Sequence, residues 1–151
     1  MRIKSGASRL RFKNVVIDSF EVRTMSFDDL YSPVRAVPAF AEKVQESLED
    51  GGMENPIIVV RGPREDFLRY LREGTFRPSD KNPPPNIPEQ DVLNVVWGGT
   101  NRILALKNLG YDAADCLIVP DFYTGSKLQG EQRAAYERQR RGQSGAAGTS
   151  P

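Results

Sequence analysis

The chain of 151 residues has no histidine and a single cysteine. Without histidine, the usual zinc sites and the Ser-His and Cys-His nucleophile systems are unavailable. A lone cysteine forms no intramolecular disulfide and favours a reducing compartment. Cys116 lies in an apolar run and reads as inert core. Long hydrophobic runs are also missing. No stretch of about 18 apolar residues occurs, so no membrane span is expected, and the N-terminus lacks the apolar centre of a signal peptide. An excess of one charge is absent too: 21 Lys and Arg against 20 Asp and Glu leave a net +1, which makes no global case for nucleic acid. The length suits one domain with a core and not two.

What is present is organised around Asp91 to Asp121. Val92, Leu93, Val95, Val96 and Trp97 are the types that fit a buried strand. Gly98 and Gly99 let the backbone turn, and Thr100 is placed to cap a helix by accepting a bond from its first turn. Ile103, Leu104, Leu106 and Leu109 form an apolar stripe, and Gly110 sits where a left-handed helix end is wanted. Cys116 to Val119 reads as the next strand. A helix start of this kind attracts anions, because unpaired N–H groups and the positive dipole end converge there. Gly98, Gly99, Thr100 and Asn101 are thus candidate phosphate contacts, with Arg102 reaching back as a bidentate fork. The plainer alternative is a tight strand-to-helix turn, with Arg102 pairing to a surface carboxylate.

Upstream, Val15 to Ile17 and Val22 to Phe27 suggest short strands, followed by a turn at Asp28-Asp29. Pro38 suits the first turn of a helix from about Val37 to Asp50, with Phe40, Val44 and Leu48 on one face and Gly51-Gly52 as its stop. Ile57 to Val60 form a continuous apolar strand suited to a sheet interior. Asn55 before it is either a turn residue or a polar contact to a base or ribose.

Two segments, WGGTNRILALKNLG at Trp97–Gly110 and ENPIIVV at Glu54–Val60, resemble the signature turn, helix and upstream strand of the ParB/sulfiredoxin superfamily. The likeness covers residues 22–60 and 92–121. It implies an α/β (α+β) fold, a small mixed sheet flanked by helices, over residues 15–123. The resemblance also makes Arg35, in the connection before the first helix, a second phosphate contact, with a solvent-exposed role as the alternative. The chain departs from the family at the turn itself. Thr100 and Asn101 stand where sulfiredoxins have the nucleophilic cysteine and a histidine, which argues against sulfiredoxin activity. They also replace the Glu and first Arg of the ParB nucleotide pocket, and no helix-turn-helix DNA reader follows. Partition activity and strong CTP hydrolysis are therefore not expected.

Residues 61–90 interrupt the family pattern. Pro63 opens a helix over Arg64 to Glu73, with Phe67, Leu68 and Leu71 as its apolar face, and Pro78, Pro83 to Pro85 and Pro88 make a stiff loop. This Pro-rich helical insertion is either a lid, a partner-binding edge or a cover for the sheet. The ends are polar. Residues 1–14 form a basic arm with Lys4, Arg9, Arg11 and Lys13, and residues 124–151 form an Arg-rich, then flexible tail with Arg138, Arg140 and Arg141, in which the helix formers of Gly130 to Arg141 suggest an exposed helix. Both are candidate nucleic-acid contacts, and the tail or the insertion is a candidate protein contact. Asp91, Asp112, Asp115 and Asp121 are the nearest carboxylates for a metal-dependent nuclease, without a diagnostic ligand spacing.

The expectation is a binding protein rather than an enzyme. It would take a nucleotide, such as a nucleoside triphosphate with Mg, or a nucleic-acid backbone, with no metal site of its own. The setting expected is a bacterial or phage accessory protein, cytoplasmic or inside a phage particle. The alternatives are a non-catalytic virion or interaction protein, and a nuclease or NTPase.

Overall fold

A computed structural model describes residues 21–52, 55–73, 85–132 and 134. The basic arm, strand 15–17, Pro78, Pro83, Pro84 and Arg138 to Arg141 lie outside the described residues. Four strands form one mixed sheet in the order β1-β4-β2-β3: β1 (Glu21–Ser26), β2 (Ile57–Pro63), β3 (Val92–Val96) and β4 (Ala113–Val119). The central pair β2 and β4 is parallel, while β1 on β4 and β3 on β2 are antiparallel. Helices α1 (Pro38–Gly51), α2 (Arg64–Glu73), α3 (Thr100–Asn108) and α4 (residues 122–132) flank it. The mixed α/β class expected from the sequence is present.

The continuous apolar run of β2 follows from burial on both faces. Ile58 and Val60 point into one core with Phe67 and Tyr70 of α2 and Phe122 of α4. Ile57 and Val59 point into the other with Ile103 and Leu106 of α3, and Leu48 of α1 packs against it. Helix α2 therefore covers the sheet. Its buried residues are Phe67 and Tyr70, whereas Leu68 and Leu71 are only partly buried. The loop after it is tied down as well: the Tyr31 hydroxyl donates to the Pro85 carbonyl, and Arg64 Nε donates to the Pro88 carbonyl at 2.9 Å.

Three expectations are corrected. Ala41, not Phe40, is the fully buried residue of α1, and Phe40 is 54% exposed. Thr100 is the first helical residue, so the cap of α3 is Gly99 and no side chain caps it. The domain does not end at residue 123. Asp121 caps α4, accepting from the Thr124 amide at 2.7 Å and the Thr124 hydroxyl at 3.0 Å, and α4 then packs on the sheet. Among the described residues no helix is long and apolar enough to cross a membrane.

Candidate functional site

The turn between β3 and α3 is built around two different glycine requirements. Gly98 has a positive φ of 93° and is exposed. Gly99 has a negative φ of −156°, but a Cβ there would stand 2.8 Å from Ile57 Cγ2. The first position needs left-handed backbone; the second needs the absence of a side chain, so that α3 can sit directly on β2. Ile103 closes the first helical turn by donating to the Gly99 carbonyl at 3.0 Å. Among the described residues nothing accepts from the amides of Thr100, Asn101 and Arg102.

Arg102 does not reach toward that open helix start. Its Nη1 donates to the Asn55 carbonyl at 2.6 Å, and its Nη2 donates to Gly98 at 3.3 Å and Pro56 at 3.4 Å. The guanidinium joins the entry of β2 to the exit of β3, using backbone carbonyls and, among the described residues, no carboxylate. Burial lowers its pKa to about 10, partly offset by Cys116, so it stays charged at neutral pH. The expected phosphate fork and the surface ion pair are both replaced by a structural clasp. Helix α4 closes over the same corner. A Cβ on Gly98 would meet the Gln129 side chain at 2.7 Å, and Gln132 donates to the Pro56 carbonyl at 3.4 Å. Asn55 Oδ1 is buried there, with no partner among the described residues.

Asn101 has an unexpected role. Its Oδ1 accepts from the Val37 amide at 2.7 Å, which brings the N-terminus of α1 beside that of α3. Val37 caps α1 without a side-chain bond, and neither helix carries an acid in its first turn. Two positive helix ends therefore meet uncompensated. Arg35 is exposed two residues before Val37 and forms no ion pair among the described residues. Sequence reasoning did single out Arg35 and Asn101, but not the contact that joins their elements across 64 positions.

The four aspartates do not converge. Asp115 accepts from the Thr24 hydroxyl, Asp121 caps α4, Asp91 precedes β3 and Asp112 precedes β4. Among the described residues no group of three or more His, Cys, Asp or Glu is placed to hold a metal ion.

Cys116 is fully buried beneath the site. Burial pushes its thiol up to about 12, with Arg102 opposing and Asp115 adding to the rise. An unfolded cysteine ionises near about 8.5. The stability contributed by keeping this thiol neutral is thus full below that pH and is lost as pH climbs toward about 12. At mildly alkaline pH the native protein should leave a disulfide reagent unconsumed, whereas the denatured chain should consume one equivalent; rapid native labelling would contradict the buried placement.

Comparison with protein families, characterised proteins and solved structures finds no match to this chain.

Proposed function

We propose that the chain binds a phosphate-bearing ligand, a nucleotide or a nucleic-acid backbone, across the paired starts of α1 and α3. The observation that carries this reading is the Asn101–Val37 bond of 2.7 Å, which sets two uncapped, acid-free helix ends side by side. Amides of Ala39, Phe40, Thr100 and Asn101 are the donors, and Arg35 supplies an exposed charge. Asn55 and Arg102 shape the floor beneath. The resemblance to the ParB/sulfiredoxin superfamily supports the same end of the molecule, since there the corresponding turn serves nucleotide chemistry. On this reading the protein is a ParB-like accessory protein of bacterial or phage origin.

Magnitudes narrow the ligand. Each helix end contributes roughly 0.3–1 kcal/mol toward an anion, up to about 2 in partly buried geometry. Two ends and one exposed arginine together stay near the roughly 4 kcal/mol of a millimolar complex. A single phosphate is therefore held weakly. A useful ligand carries several phosphates, as a nucleoside triphosphate or a nucleic-acid strand does.

The test is thermal unfolding in CTP, ATP, GTP, each with magnesium, and in a short oligonucleotide. A ligand at a hundred times its dissociation constant should add about 2.7 kcal/mol. Arg35→Ala should reduce that gain and leave the ligand-free midpoint unchanged. Stabilisation undiminished in Arg35→Ala, or no stabilisation by any of the four, would refute the proposal.

A second reading is an interaction or virion protein without a ligand. It is favoured by the inward Arg102 and by Val37 and Phe40, 56% and 54% exposed on the first turn of α1. It predicts stable self-association or a protein complex that is lost in Phe40→Ser.

A further inference from the structure

At the opposite end of the sheet, a cleft of about 200 Å³ opens between α2 and α4, beyond the carboxyl ends of the parallel strands β2 and β4. Crevices at that position of an α/β sheet are common ligand sites. Gly62 and Ile57 are five residues apart on β2, so this cleft lies about 17 Å from the α3 start.

Its wall is aromatic. Tyr70 stacks on Phe122 with ring centroids 4.8 Å apart, and Tyr123 stands edge-on to Tyr70 at 6.1 Å while remaining 77% exposed. Its polar lining is acidic: Asp66, Glu73 and Asp121 face one guanidinium, that of Arg69. Asp121 is occupied in capping α4. Arg69 approaches Asp66 only to 3.8 Å, with both side chains about half exposed, so their pairing is loose and weak.

Gly62 fixes where a guest would sit. A Cβ built on it would lie 3.9 Å from Asp66 Oδ2 and 3.9 Å from the Pro120 carbonyl oxygen. Two acceptors thus look onto the same volume, beside aromatic faces that attract positive charge. A donor-bearing cation satisfies both acceptors and the aromatic wall, whereas an anion would find only Arg69, already beside Asp66.

We propose that this cleft binds a guanidinium or alkylammonium group, presented by a small organic cation or by an arginine or lysine side chain of a partner. The test is calorimetric titration of the full chain with agmatine and with a short peptide containing one arginine, alongside the neutral isostere of each. Saturable binding of either cation is expected, with the Gly62 amide resonance moving in step. Asp66→Asn should weaken it about tenfold, as loss of a charged hydrogen bond implies. Gly62→Ala meets only ordinary contact distances, so it should fold normally and also weaken binding. Agmatine binding as tightly as the peptide assigns the small cation; peptide binding much more tightly assigns a partner side chain. Equal affinity for the neutral isosteres, full affinity in Asp66→Asn, or no saturable response at millimolar concentration would each overturn the proposal.

Discussion

Replacing Arg102 with alanine is expected to lower the stability of the ligand-free protein by about 3 kcal/mol. The estimate rests on one strong charged bond, to Asn55 at 2.6 Å, and two longer ones, to Gly98 and Pro56. Charged hydrogen bonds contribute roughly 1.5–3 kcal/mol each, and buried acceptors left without a donor add their own desolvation cost. Small domains are stable by only about 5–15 kcal/mol, so the loss would be visible as a large shift of the urea midpoint. Arg102→Lys keeps the charge but offers no planar fork to join the carbonyls, and should recover only part of the loss. A midpoint unchanged in Arg102→Ala would mean that the clasp is decorative and the guanidinium is free for a ligand after all.

Phe67→Ala is expected to cost about 3–5 kcal/mol, the range for truncating a buried aromatic. Phe67 is 1% exposed and lies edge-on to Tyr31 at 5.8 Å and tilted against Phe122 at 5.6 Å. It therefore links α2, α4 and the segment that follows β1. Leu68→Ala, on the neighbouring half-buried position, should cost much less, within about 1 kcal/mol. Equal and small losses in both variants, measured by thermal unfolding, would mean that α2 is an appendage to the sheet rather than part of its core.

Much of the fold was legible because its central elements carry strong local signals. The run Ile57 to Val60, the helix over Arg64 to Glu73 and the glycine at 110 all stand where the sequence places them. The start of helix α4 was hidden, ahead of the helix formers that follow Gly130: most of its residues are polar, and Gly125 and Gly130 argue locally against a helix. Gly125 is nevertheless required by packing, since a Cβ there would stand 2.8 Å from Val60 Cγ2. The one local clue was Asp121 followed by Thr124, an N-cap pair. Phe40 was misplaced because four-residue spacing does not reveal which face of a helix meets the sheet.

The turn after β3 was legible as a place and not as an arrangement. The glycines and the helix start can be read locally, and so can the presence of arginines near them. The direction of a long side chain cannot. Arg102 turns inward because the carbonyls of Asn55 and Pro56 arrive from another strand. Asn101 turns toward Val37 because α1 packs on α3. Both are long-range facts that no local spacing reveals.

The most direct test is to follow backbone amides by NMR while titrating the labelled protein with a nucleoside triphosphate. The account predicts saturable shifts centred on Ala39, Phe40 and Gly98 to Arg102, requiring more ligand in Arg35→Ala. Shifts scattered over the surface, or none at saturating triphosphate and oligonucleotide, would show that the two helix ends do not form an anion site.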